Sequence, residues 1–169
     1  MRKGFTLIEL LVVIFIIGLL ASIVVVSVQA ARTKARDAKR VADLKQIQNA
    51  LESYNNANNQ YPNPGWAWRS ECAAWGGYAA NNVIPGLVPT YLSAFPSDPA
   101  MNKAANTSCY LYLSNGTDYA VLDHNAPEAN YLTQPTLIDP QRDGGTDPCK
   151  IDGTSPWAWK VSSSGGYCW

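Results

Sequence analysis

Four cysteines, one histidine and a few carboxylates are the side chains whose types and spacing could do chemistry. Cys72, Cys109, Cys149 and Cys168 stand far apart, with no CxxC pair among them, so a zinc ribbon is excluded. His124 is the lone imidazole, which excludes a multi-histidine metal centre and leaves a thiol nucleophile only one candidate base. No nucleophile–base pair and no paired carboxylates stand out, so the residues do not point to an enzyme. An even cysteine count in a loop-rich stretch reads instead as two disulfides, with three pairings open. The segment Asp139-Pro140-Gln141-Arg142-Asp143-Gly144-Gly145-Thr146-Asp147 offers oxygen donors for a hard cation. Its carboxylate spacing matches no EF-hand loop and Arg142 intrudes, so an acidic turn is the favoured reading. The most informative side chain is Glu9, the only charge in an apolar run of 24 residues, 5–28. Such a carboxylate costs about 2.5–3.5 kcal/mol near the centre of a membrane helix, so it calls for a partner and a task.

The element that positions Glu9 is the run itself. As a helix it would be roughly 36 Å long, enough to cross the hydrocarbon core of a bilayer. It holds no proline, and Gly18 is its one weak helix former. Arg2 and Lys3 precede it; Arg32, Lys34, Arg36, Lys39 and Arg40 follow, a distribution that leaves orientation ambiguous by the positive-inside rule or opposes a cytoplasmic N-terminus. The run exceeds the apolar core of a secretory signal, and a plain anchor leaves Glu9 unexplained. Helical spacing then persists: Val41, Leu44, Ile47, Leu51 and Tyr54 form one apolar stripe with Ala38 and Ala50 beside it. Lys39 with Asp43 and Asp37 with Arg40 read as a solvated face, and the basic cluster 32–40 as solvation or lipid-headgroup contact. Pro62 forbids return after the Asn-rich stretch 55–60, giving a single helix over 5–54, roughly 75 Å long.

Formal charge is zero overall, +4 over residues 1–60 and −4 over 61–169, which with the absence of interleaved aromatics in the basic cluster argues against nucleic acid as the main partner. The remainder is rich in Pro, Gly, Asn, Ser and aromatics, so short strands and long connections are expected. Tyr110-Leu111-Tyr112-Leu113 and Asp118-Tyr119-Ala120-Val121-Leu122 flank Asn115-Gly116, predicting a hairpin with a type I′ turn. Trp157-Ala158-Trp159-Lys160-Val161 is a third strand candidate, and the sheet would bury one face against Val41, Leu44, Ile47 and Leu51. Two Trp-Ala-Trp triplets, at Trp66/Trp68 and Trp157/Trp159, would each place both rings on one face of an extended segment. Core and interface packing is favoured for them over a ligand platform.

Arg2-Lys3-Gly4-Phe5-Thr6-Leu7-Ile8-Glu9-Leu10-Leu11 resembles the leader and first residues of a type IV prepilin or type II secretion pseudopilin. The resemblance implies cleavage between Gly4 and Phe5 by a membrane prepilin peptidase, N-methylation of Phe5, and a role for Glu9 as counter-charge to a neighbouring subunit's amine. Physically, cutting before Phe5 removes two cations and creates an amine one helical turn from Glu9, toward which helical side chains tilt. At about 4 Å and an effective dielectric near 20 such a pair gains about 4 kcal/mol, comparable to the burial cost. The residues alone leave a pair within one chain equally open. Many pilins carry a proline near Val26; Ile23-Val24-Val25-Val26-Ser27-Val28 does not, so local loosening would have to centre on Gly18.

Tyr61-Pro62, Tyr91-Leu92, Pro96-Ser97-Asp98-Pro99 and Tyr110-Leu111-Tyr112 are similar to the major pseudopilin, strongly over the first fifty-odd residues, moderately over 61–122, and not from His124 onward. The resemblance implies an α+β pilin fold, a long N-terminal helix packed on a small antiparallel sheet. Its expected division is a leader at 1–4, a membrane and filament-core helix at 5–28, an amphipathic continuation at 29–55 and a disulfide-stapled head at 56–169. Many members bind calcium in an Asp/Gly-rich C-terminal loop, but the departure here leaves no cofactor as the expectation. Closure of a C-terminal loop by a disulfide, as in many type IV pilins, favours Cys149–Cys168 with Cys72–Cys109. The implied function is a structural subunit of a pilus-like or pseudopilus filament rather than an enzyme; the alternative is a minor pilin or adhesin whose Trp-rich head binds a surface or glycan. Implied partners are other copies and other pilins, the prepilin peptidase and methylase, an inner-membrane assembly platform, and the bilayer before assembly. The chain would be a single-pass membrane protein first and a periplasmic or extracellular filament afterwards.

Overall fold

Helix α1, Leu7–Asn58, is 52 residues long, roughly 78 Å, in a computed structural model that describes residue 4 and residues 6–125, 127–129 and 133–169. It begins later than the apolar pattern implies because Thr6 is the N-cap, with φ −84° and ψ 152°. It ends where Asn59 turns left-handed at φ 55° and donates its N–H to the Asn55 carbonyl at 2.8 Å. The helix is continuous through Gly18 and through residues 23–28. Its first half is uncovered: Leu7, Ile14, Phe15, Ile17 and Ile23 are all exposed. Ser22 and Ser27 return their hydroxyls to the carbonyls of Leu19 and Ile23, so neither polar group is left over for an apolar medium.

The second half packs. Leu44, Ile47, Ala50 and Leu51 are buried, with Val41 and Tyr54 at the margin of the same core. They meet one face of a three-stranded antiparallel sheet in the order β1 (Cys109–Ser114), β2 (Tyr119–His124), β3 (Ala158–Ser162). The pairings Tyr110↔Asp123, Tyr112↔Val121, Asp123↔Trp159 and Val121↔Val161 put these side chains on the helix-facing side. Val83, Ile84, Leu87, Leu92 and Phe95 from the connection 61–108 close the core laterally. The opposite face is buried too. Cys72, Cys109, Leu111 and Leu122 form a second cluster with Trp68, Trp75 and Met101 against it. The sheet is the middle of three layers, so its strands read as nearly unbroken apolar runs.

Three local expectations change. The hairpin turn is not type I′: Gly116 has φ 91° but Asn115 is not left-handed. The Asn115 side chain accepts from the N–H groups of Thr117 and Asp118 at 2.9 and 2.7 Å, and this Asx-type bonding spreads the turn over four residues. Asp37, Arg40 and Asp43, expected on a solvated face, are buried, Arg40 completely. The Trp-Ala-Trp triplets are also split. Trp159 is 1% exposed and Trp157, ahead of the strand, 39%; Trp66 is exposed and meets Trp169 edge-on at 4.7 Å, whereas Trp68 packs on the second cluster.

Candidate assembly site on the N-terminal helix

Thr6 and Glu9 form a capping box. The Thr6 backbone N–H and hydroxyl each donate to Glu9 Oε2 at 2.8 Å, and Thr6 Oγ1 accepts from the Glu9 N–H at 3.3 Å. Among the described residues Oε1 takes no hydrogen bond. The geometry keeps the carboxylate at the extreme end of the helix, beside the unpaired N–H groups of the first turn, where a negative charge is most welcome. Thr-x-x-Glu ahead of an apolar run is the sequence signal that could have revealed this cap. Gly4 is described as non-helical. Phe5, whose amine the resemblance assigns to Glu9, lies outside the described residues, as do Arg2 and Lys3. Further along the helix, Gly18 and Ser22 form the floor of an apolar groove walled by Leu11, Ile14, Phe15 and Leu19.

A second site joins the helix to the head. Arg40 Nε donates to Asp98 Oδ2 at 2.5 Å, Nη1 to Asp37 at 2.6 Å, and Nη2 to Asp98 Oδ1 at 3.1 Å and Glu128 at 2.7 Å. Asp123 Oδ2 is 3.5 Å from the same guanidinium. Arg36 pairs with Glu128, and Asp37 accepts from the backbone N–H groups of Glu128 and Ala129 at 3.0 and 2.7 Å. Hydrogen bonds from Arg36, and then from Arg40, hold the Glu128 carboxyl down to about 2. Burial, with Asp98 nearby, pushes Asp123 well above the carboxylate range, and its oxygens accept no hydrogen bond from the described residues. Tyrosine hydroxyls supply further ties: Tyr110 to Asp43 at 2.9 Å, Tyr61 and Tyr119 to Glu52 at 3.0 and 3.1 Å, and Tyr112 to the Pro62 carbonyl at 2.6 Å. Burial and then Glu52 raise Tyr61 to about 12.

The cysteines pair as Cys72–Cys109 and Cys149–Cys168, and no described cysteine is free. His124 lies opposite Cys109 across the β1–β2 ladder, but that sulfur is committed to its disulfide. The imidazole is wedged edge-on between Trp75 and Trp157 at 4.5 and 5.1 Å, and burial lowers its pKa, so it is held neutral as a packing group.

The C-terminal acidic segment does not fit a calcium ion. Asp143 spends both oxygens on the N–H groups of Gly145 and Gly153 at 2.7 and 2.9 Å. Asp152 is taken by Thr146 and Asp147 by Lys150. Asp139 is fully buried between two cations, Arg142 Nη1 at 2.7 Å and Lys160 Nζ at 2.7 Å. A divalent ion about 4 Å from either cation would be repelled by about 8 kcal/mol at an effective dielectric of 20.

The prokaryotic N-terminal methylation motif matches residues 1–25. Type II secretion system core protein G of Escherichia coli K12 is 39% identical over 124 residues, 69% of this chain and 83% of that protein. The same protein of Vibrio cholerae El Tor is 35% identical over 118 residues, 69% of this chain and 75% of its own length. The type IV wide pilus major component of Thermus thermophilus is 46% identical over 59 residues, 35% of this chain and 45% of that protein. No solved structure matches. A methylation motif on a capped apolar helix, with likeness to core protein G over 69% of the chain, leads to one conclusion: the chain belongs to the type II secretion system core protein G family.

Proposed function

We propose that this structural filament subunit polymerises through residues 5–28, as a pseudopilus component of a type II secretion system. The observation that carries the reading is the division of α1. One half is packed into the head, while the other, with the methylation motif, offers an uncovered apolar surface that no part of the described chain shields. Before assembly that surface is satisfied by lipid; in a filament it is satisfied by other copies. Contacts of this kind are heterologous and non-closing, so one protomer type generates an open helical array.

In this reading Gly4–Phe5 is the bond a prepilin peptidase cuts, Phe5 is then methylated, and residues 1–4 are lost. Thr6 holds Glu9 Oε2 in the waiting subunit, and Oε1 receives the amine of a neighbouring Phe5. Removal of the leader cations frees the helix end to leave the membrane surface. The other expected partners, an assembly platform and additional pilins, belong to the same proposal.

The test is Glu9→Leu expressed as the sole copy. Insertion should be unharmed or improved, since a costly carboxylate is removed, and intact mass should still begin at Phe5. Sheared filament yield should collapse relative to the membrane pool, with Glu9→Gln falling less because an amide oxygen still accepts from the amine. Wild-type yield from Glu9→Leu, or a leader still attached in assembled protein, would overturn the reading.

A further inference from the structure

Lys160 projects from the outer face of β3 and is 4% exposed, whereas the other described lysines are all exposed. Its ammonium is held by three oxygens: Asp139 Oδ1 at 2.7 Å, the Tyr167 main-chain oxygen at 2.7 Å and the Trp169 main-chain oxygen at 3.1 Å. One side-chain carboxylate and two main-chain oxygens are the kind of oxygen donors a hard cation takes, not those of an ordinary surface ion pair. The segments that supply them are far apart in sequence, and the Cys149–Cys168 disulfide ties down the one that carries Tyr167 and Trp169. A cleft of about 290 Å³, lined in part by Lys45, Gln48, Thr136, Ser162 and Tyr167, opens onto Lys160 and gives solvent a way in.

We propose that Lys160 Nζ is a built-in cation that fills an oxygen cage, and that it closes the C-terminal loop of this chain in place of a bound calcium ion. The disagreement between the acidic segment and a calcium site then has a physical cause. The oxygens that could hold an ion are already spent on an ammonium whose stem is covalently fixed to β3, and Arg142 adds a second positive charge on Asp139. A tethered cation loses no translational entropy when the loop closes and does not depend on the ion content of the compartment. It follows that the wild-type head closes without divalent metal, and that removing both cations on Asp139 while leaving room for an ion uncovers a cation site. The inference stands apart from the filament reading, since its readouts are stability and ion binding of the single chain.

The experiment uses the full oxidised chain in detergent, with thermal unfolding followed by tryptophan fluorescence in chelator and in millimolar calcium chloride. Terbium luminescence sensitised by Tyr167 and Trp169 reports ion binding directly. The wild type should unfold at the same temperature in both buffers and give no terbium signal above background. Lys160→Ser combined with Arg142→Ser, which removes both cations from Asp139 and leaves a cavity with two hydroxyls, should unfold earlier in chelator. It should recover by about 3–10 °C in calcium at 10–100 times a sub-millimolar dissociation constant, and bind terbium in competition with calcium. Lys160→Met, whose stem still occupies the cage, should be destabilised without any calcium response. A wild type that loses stability in chelator would overturn the proposal by showing a resident metal. A doubly substituted chain that folds but ignores calcium and terbium, or that calcium fails to rescue from misfolding, would overturn it by showing that the oxygens form no cation cage.

Discussion

Arg40 is the residue on which the head depends most. It is fully buried, and among the described residues its guanidinium is the one cation in contact with Asp98 and Asp123 together. Arg40→Met removes that charge while keeping much of the stem, so Asp37, Asp98 and Asp123 are left close together without their counter-ion. The expected cost is about 3–5 kcal/mol, measured by denaturant unfolding of the oxidised chain. Asp123 should behave in the opposite way. Its carboxyl is raised by burial, so the fold favours the protonated form and the ionised form works against it. The penalty is absent below the ordinary value of 3.8 and grows as pH rises above it. Asp123→Asn should therefore raise stability at pH 7 by about 1–2 kcal/mol, with the gain shrinking to nothing in acid. Equal unfolding midpoints for Asp123→Asn and wild type at every pH would show that Arg40 already neutralises the group.

At the scale of elements, the three-layer arrangement explains why two disulfides are placed as they are. Helix α1 covers one face of the sheet with a continuous apolar stripe, but the other face is covered only by irregular chain. Cys72–Cys109 anchors the first irregular segment directly to β1, across a sequence separation of 37, and both residues are fully buried. Cys149–Cys168 closes a separation of 19 at a partly exposed position. Loop-closure entropy alone makes the longer crosslink worth about 0.6 kcal/mol more, on a base of about 2–4 kcal/mol each. Cys72→Ser with Cys109→Ser should therefore lower the unfolding midpoint more than Cys149→Ser with Cys168→Ser. The buried pair also loses its contacts with Leu111 and Leu122. The reverse order would mean that the C-terminal closure contributes through the Lys160 cage and not only through chain entropy.

Across the whole molecule, the opposite charges of the two halves meet at one junction. Arg36 and Arg40 of the helix bind Glu128 of the segment after β2, which fastens the head to the helix near the uncovered half. The Glu128 carboxyl is held down to about 2 from 4.5, a depressed acid. Its contribution is fully present above 4.5 and is lost as pH falls through about 2. Glu128→Gln should thus be less stable than wild type at neutral pH, by an amount that disappears at the acid end of a pH series. Hydrogen exchange at the N–H groups of residues 128 and 129 should rise in the variant at pH 7. Unchanged exchange there would mean that the two N–H bonds to Asp37 suffice to hold the segment.

The sequence by itself determined the elements whose cause is local. The 24-residue apolar run encodes a spanning length, while the stripe at Val41, Leu44, Ile47 and Leu51 and the alternating Tyr110/Tyr112 strand each encode a period, and both kinds of signal specify an element without reference to distant chain. The Thr6-x-x-Glu9 cap was equally local and legible in principle. Only the tertiary structure decided which charges go inside. Arg40 looked like one member of a solvated basic cluster, and its burial depends on Asp98, Asp123 and Glu128, which lie 58, 83 and 88 residues away. Lys160 read as a strand residue among aromatics until Asp139, Tyr167 and Trp169 closed around it. The side-chain periods of helix and strand are set by backbone geometry within a turn or two. The solvation of a charge is set by whatever the whole chain brings within about 4 Å, and no short window of sequence contains that information.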